Sequence, residues 1–141
     1  MENINNTQFD EQMLPPLDAA DAKALADAIA DVLDSKKGHD IKVMHVEDKT
    51  VIAEYFVVCT GNSSTQIKAL AGEVEYQMDL REVKVDNFEG RDNGAWIVLD
   101  YSSVMVHVMS RESREFYDLE KLFDGAQELD LRPAEDESEN N

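Results

Sequence analysis

The sequence has little cysteine, few cations and no long apolar run, and each shortage removes a class of protein. Cys59 is the one cysteine in 141 residues. A single thiol cannot close an internal disulfide, which excludes a disulfide-stapled scaffold and points to a reducing, cytoplasmic setting. No stretch approaches the ~20 apolar residues of a membrane helix, so no membrane span is expected. No lysine or arginine precedes Lys23, so the start of the chain lacks the charge of a secretory signal and the arginines of an organellar transit peptide. Lys and Arg number 13 against 31 Asp and Glu, a formal net charge of −18. Affinity for nucleic acid rests on cations that neutralise phosphates, so broad binding to RNA or anionic lipid is not expected. A basic protein partner fits better, because opposite charge speeds encounter; solubility is the plainer reading of the same charge. There is no P-loop and no paired cysteine, and His39, His45 and His107 show no metal-ligand spacing, so no cofactor or metal is expected.

Hydrophobic residues make up 43% of the chain. That is enough for one core, and a chain near this length buries roughly 68% of its unfolded surface. Residues 1–16 are polar, end in Pro15-Pro16 and read as a loose leader. From Glu128 onward, ELDLRPAEDESENN sets six acids against one arginine. Such a segment buries too little to offset chain entropy, so residues 126–141 are expected to form a disordered acidic tail. The folded unit is expected over 17–125. In LDAADAKALADAIADVLDSKKG, three-and-four spacing of Leu25, Ala28, Ile29, Val32 and Leu33 predicts a helix with one apolar face. Asp18 or Asp21 would start it, and Lys36, Lys37 and Gly38 would end it. IKVMHV predicts a strand. EYFVVCTG predicts another, apolar without alternation and so central and covered on both faces. GNSSTQIKALAGEVEYQM predicts a helix, with Ser63 and Gln66 at capping-box spacing. VKV predicts a short strand, AWIVLDY and VMVHVM a hairpin turning at Ser102-Ser103, and 112–123 a final helix. This order implies an α/β or α+β sandwich, a mixed β-sheet flanked by helices.

Two classes of function compete. The turn Thr60-Gly61-Asn62-Ser63, between a buried strand and a helix start, suits an anion. A metal-dependent nucleotidyltransferase-like enzyme would use such a Gly61–Ser63 turn with two carboxylates one residue apart on the next strand, to hold its metal ions. VKVDNF offers Asp86 alone. Asp118 and Glu120 fall in an expected helix, where residues two apart do not face each other. The enzymatic reading lacks its metal pair, so no catalytic residue is assigned. Cys59 inside YFVVC reads as a packed thiol. His107 shares a strand face with Met105 and Met109 and reads as structural, its nitrogens hydrogen-bonded.

The binding reading rests on the last third of the chain. Trp96, Tyr101, Phe116, Tyr117 and Phe123 are interleaved there with Arg111, Glu112, Arg114, Glu115, Glu120 and Lys121. Aromatics and arginines are what interfaces favour at their centres. Core packing is the competing reading for Trp96 and Phe116, and a solvated face for the charges of RESRE.

The block from EYFVVCTGNSS through FEGRDNGAWIVLDYSSVMVHVMSRESREFYDLEKLF resembles the ribosomal silencing factor family, also called Iojap-related, over residues 20–125. The likeness is carried by the strand ending Cys59-Thr60-Gly61-Asn62-Ser63, by Glu89-Gly90, Trp96 and Leu99-Asp100-Tyr101, and by Val106-His107-Val108 and the run from Tyr117 to Leu122. This chain departs at Phe123, where the family commonly has tryptophan, and at Ser102-Ser103, where it often has glycine. The resemblance implies a nucleotidyltransferase-like fold without the catalytic carboxylates. It also implies a translation repressor that binds ribosomal protein L14 on the large ribosomal subunit, blocks joining of the small subunit and acts under nutrient limitation. The contact expected on that surface involves Trp96 and Tyr117 as desolvated anchors and Met109 as apolar filler. Glu112 and Glu120 would meet basic groups, and Arg114 and Lys121 would hold those acids or reach partner carbonyls. His107, Gly61, Ser63 and Asp100 are expected in supporting roles. An exposed edge strand would permit a homodimer of the free protein.

Overall fold

The structure, a computed structural model, describes residues 14–92 and 94–123 and the backbone of residues 127–129. Most of the expected leader and tail lie outside the described residues. The elements run α1 (Ala22–Ser35), β1 (His39–His45), β2 (Tyr55–Gly61), α2 (Ser64–Leu80), β3 (Asn87–Glu89), β4 (Trp96–Asp100), β5 (Val104–Ser110), α3 (Arg111–Tyr117), α4 (Leu119–Leu122) and β6 (Gln127–Leu129). The strands form one mixed sheet in the order β3-β4-β5-β2-β1-β6. β2 and β5 are parallel, and the other neighbours are antiparallel. Among the described residues, no helix is long and apolar enough to cross a membrane.

The unbroken apolar run of β2 follows from its place inside the sheet, where all seven residues are buried. Alternation divides them between two cores. Tyr55, Val57 and Cys59 face the stripes of α1 and α2, where Leu25, Ile29, Leu33, Ile67, Leu70 and Val74 pack with Ile97, Leu99, Val106 and Val108. Phe56 and Val58 face the opposite side, with Met44, Val46, Met109 and Leu119. Burying each large aliphatic side chain contributes about 1.5–3 kcal/mol, so the first, larger cluster supplies most of the apolar stabilisation.

Local chemistry sets the ends of the helices. Asp21, not Asp18, caps α1: its Oδ1 accepts from the Ala24 N–H at 3.1 Å. The left-handed exit falls on Lys37 (φ 69°), not on Gly38. Gly38 is required for another reason, since a Cβ there would collide with the Cys59 Sγ. At the start of α2, the Ser63 side chain accepts from the Gln66 N–H at 3.0 Å, while the Gln66 carboxamide accepts from the Asn62 N–H at 2.5 Å. The reciprocal bond thus reaches one residue further back than in a standard capping box.

Three expectations are corrected. VKV is not a strand. Val83 is pulled against the end of α2, where its N–H bonds the Met78 carbonyl at 2.9 Å, and Glu82 turns the chain at φ 67°; the strand begins two residues after Val85, at Asn87. The helix expected over 112–123 is two helices, because Asp118 adopts φ 47°. Aspartate tolerates this left-handed conformation better than most residues. Here it ends α3, its N–H bonding the Arg114 carbonyl at 2.9 Å, and it caps α4 through Lys121. Finally, residues 127–129, placed in the tail by composition, form β6 along β1. The β1 edge offered unpaired backbone groups, and a strand can satisfy them whatever its side chains are. The β4–β5 hairpin turns as expected, with Ser102 at φ 71°, a left-handed conformation that glycine adopts more readily than serine.

Candidate functional site

The face of the sheet opposite α1 and α2 is closed by α3 and α4, and Arg114 holds them there. The residue is 9% exposed. Nη1 donates to the Asp40 carbonyl at 2.6 Å and to Thr60 Oγ1 at 2.8 Å, and Nη2 and Nε donate to Glu120 Oε2 at 2.8 and 3.2 Å. One side chain therefore links the start of β1, the end of β2 and α4. Burial pushes the Glu120 carboxyl up, but the hydrogen bond and charge of Arg114 outweigh it and leave the group below its usual range. The break at Asp118 allows this arrangement: it turns Leu119 into the second core, where it is 7% exposed, and seats Phe123 edge-on against Phe56 with ring centroids 4.9 Å apart.

Beside this clip lies an aromatic group. Trp96 on β4 pairs with Met109 on β5, which sets Trp96 and His107 diagonally on one face. The partly buried indole donates its Nε1–H to His107 Nδ1 at 3.0 Å, and its ring lies 4.6 Å from that of Tyr117. Tyr117 meets Phe116 edge-on at 4.9 Å. Phe116 is 80% exposed, Tyr117 53% and Leu122 70%. His107 is 5% exposed, and loss of water pushes its imidazole down to about 4, so it is neutral at pH 7.

The residues expected at a partner contact separate into two groups. Trp96, Tyr117, Glu112 and Lys121 reach the surface. Met109, expected as interfacial filler, is fully buried in the second core, because its place on β5 between Trp96 of β4 and Thr60 of β2 sets it among Phe56, Val58 and Leu119. Arg114 and Glu120, expected to meet partner groups, are instead engaged with each other. His107 was expected to have both nitrogens hydrogen-bonded. Only Nδ1 is; Nε2 is buried and finds no partner among the described residues. Phe116 and Leu122 were not among the expected contacts, yet they are the most exposed apolar side chains of α3 and α4. In one continuous helix Phe116 would share the face of Leu119 and Phe123, three and seven residues on, so its exposure could be read only once the break at Asp118 is known.

Gly61 and Ser63 belong to a separate cleft of about 330 Å³, lined by Gly61, Asn62, Ser63, Gly94, Arg111 and Glu112 among others. Gly61 lets the strand end pass close beneath α2: a Cβ there would stand 2.6 Å from Ile67 Cγ1. Asp86 and Asp100 are at the far end of the sheet. Asp86 accepts from the Ser102 hydroxyl at 2.5 Å, and Asp100 accepts from the Ser102 N–H at 2.8 Å, which makes Asp100 a turn residue. Glu112 is the one carboxylate among the described residues that line the cleft, and Asp118 is occupied as a helix cap. The described residues thus bring no carboxylate pair to the Gly61–Ser63 turn, and no group of three metal-binding side chains lies among them.

A family model described as "Ribosomal silencing factor during starvation" matches residues 19–141. The chain is 36% identical over 109 residues to a ribosomal silencing factor of Bacillus subtilis, covering 77% of this chain and 92% of that one. It is 30% identical over 121 residues to the mouse protein named mitochondrial assembly of ribosomal large subunit protein 1, covering 83% of this chain and 53% of that one. Among solved structures, it resembles one from Chromobacterium violaceum with a TM-score of 0.69 and 31% identity, over 82% of this chain and 93% of that chain.

Proposed function

Because the chain belongs to the ribosomal silencing factor family, we propose that it docks on the large ribosomal subunit through the aromatic face of α3 and α4. The docked protein occupies the ground the small subunit would need, prevents subunit joining and represses translation in the cytoplasm when nutrients are scarce. Its direct partner is a basic protein on the intersubunit face, ribosomal protein L14. The observation that carries this reading is the ring group of half-buried Trp96 with exposed Tyr117 and Phe116, followed on α4 by the exposed Leu122, on a chain of net charge −18. A contiguous exposed apolar patch in a polar rim marks an interaction site, and the acidic chain suits a basic partner. The large-subunit wording of the mouse relative's name supports the same direction. Trp96 and Tyr117 act as anchors, Phe116 and Leu122 widen the apolar centre, and Glu112 and Lys121 form the rim.

Sedimentation with purified ribosomal subunits tests the reading. The protein should travel with large subunits and not with small ones, and its addition should reduce the yield of joined ribosomes. Migration with neither subunit, or undiminished joining at saturating protein, would refute it.

A further inference from the structure

His107 is unusual for a residue so deeply placed. It lies in mid-strand opposite Val58 on β2 and Val98 on β4, against the Phe56 ring at 4.7 Å. An aliphatic or phenyl group would suit such surroundings. The indole N–H of Trp96 can only donate, so at 3.0 Å His107 Nδ1 must be the acceptor. A neutral ring then carries its proton on Nε2, which is buried with no hydrogen-bond partner among the described residues. A buried donor left unpaired is destabilising. A fold seeking stability alone would place a hydrocarbon here. The histidine supplies what a hydrocarbon cannot, an acceptor aimed at one edge of Trp96.

We infer that His107 is a positioning residue whose Nδ1 fixes the orientation of the Trp96 indole and so sets the anchor of the docking surface without touching the partner. The hydrogen bond locks one edge of the indole, and Tyr117 packs against the ring at 4.6 Å. Held between these two groups, Trp96 is ordered before any partner arrives, so less freedom is lost on binding. This inference rests on the docking surface proposed above.

The chain contains one tryptophan and four tyrosines, so fluorescence excited beyond the tyrosine absorption band reports on Trp96 alone. His107→Phe keeps the bulk and removes the acceptor, whereas His107→Asn retains an oxygen near the Nδ1 position. In the full-length protein, His107→Phe should fold with a cooperative melt, raise acrylamide quenching of Trp96, lower its anisotropy and weaken binding to purified large subunits about tenfold. His107→Asn should recover most of both signals. In a Trp96→Phe background, which has no indole N–H, His107→Phe should add no further loss of affinity, because the two residues act as one unit. If folded His107→Phe binds and quenches like the parent, His107 only packs and the inference is wrong. If folded Trp96→Ala binds as tightly as the parent, the docking surface itself is misassigned, a distinct failure. If His107→Phe does not fold, His107→Asn and Trp96→Phe decide: equal losses of affinity in both, or none in either, overturn the inference, and loss in Trp96→Phe alone supports it.

Discussion

Helices of 14 and 17 residues cover one face of the sheet; helices of 7 and 4 residues cover the other. The first face is sealed by continuous aliphatic stripes. The second holds all three of the buried polar or charged residues among those described, Thr60, His107 and Arg114, and carries the exposed Phe116, Tyr117 and Leu122 on its helices. Buried polar groups and exposed aromatics are each unfavourable for folding alone. Their coincidence on one face separates a surface built for stability from one built to present groups to a partner. Substitutions on the two faces should therefore separate stability from binding.

The largest effect is expected on the helical face. Ile29→Ala, at a fully buried position, should destabilise by about 2–5 kcal/mol through lost transfer energy and the cavity it leaves. Binding to large subunits per folded molecule should stay unchanged. Denaturant melts paired with sedimentation would check both, and a specific loss of binding would break the comparison.

The next effect is one of pH. His107 has its folded pKa lowered from 6.5 to about 4 by burial, so the unfolded chain binds the extra proton first. Its stabilising contribution is complete above pH 6.5 and lost as the pH falls from there towards 4, a total of roughly 3 kcal/mol. Glu120, also lowered, loses its contribution further into acid. The difference in melting between the parent and His107→Phe should grow in favour of the variant as pH falls through this window; parallel curves would show that His107 is not buried in its neutral form.

Arg114→Ala comes third. It leaves Thr60, the Asp40 carbonyl and a half-buried Glu120 without their donor, which should cost about 2 kcal/mol. It should also weaken subunit binding, since α3 and α4 lose their clip. Arg114→Lys keeps the charge but not the fork of donors, and should recover only part. Full recovery by lysine would reduce the clip to a charge effect. The smallest stability change belongs to Phe116→Ser, 80% exposed. The melt should move by no more than about 0.5 kcal/mol, while affinity for the large subunit drops about tenfold. Unchanged affinity would remove Phe116 from the surface.

Much of this was legible in the residues themselves. The stripe Leu25, Ile29, Leu33 required a helix against a core, and the unalternating YFVVC required a strand buried on both sides, because each pattern follows from a local period and the removal of carbon from water. The family was legible too, from the ordered motifs around Gly61, Trp96 and Tyr117. Other features depend on groups distant in sequence. Arg114 reads as a surface charge until Thr60 and Asp40, 54 and 74 residues away, are brought to it. Met109 reads as available until α4 closes over it. The break at Asp118 divides a stretch whose composition suits one continuous helix, because closing the second core through Leu119 and Phe123 favours the turn. The segment 127–129 is too polar to predict as a strand, yet it joins the sheet where β1 has unpaired backbone groups. Local periodicity determined which elements form and which side of each is apolar; tertiary packing decided which polar side chains are buried and which aromatics remain in water, because a hydrogen bond or a lost solvent shell depends on neighbours that no local pattern contains.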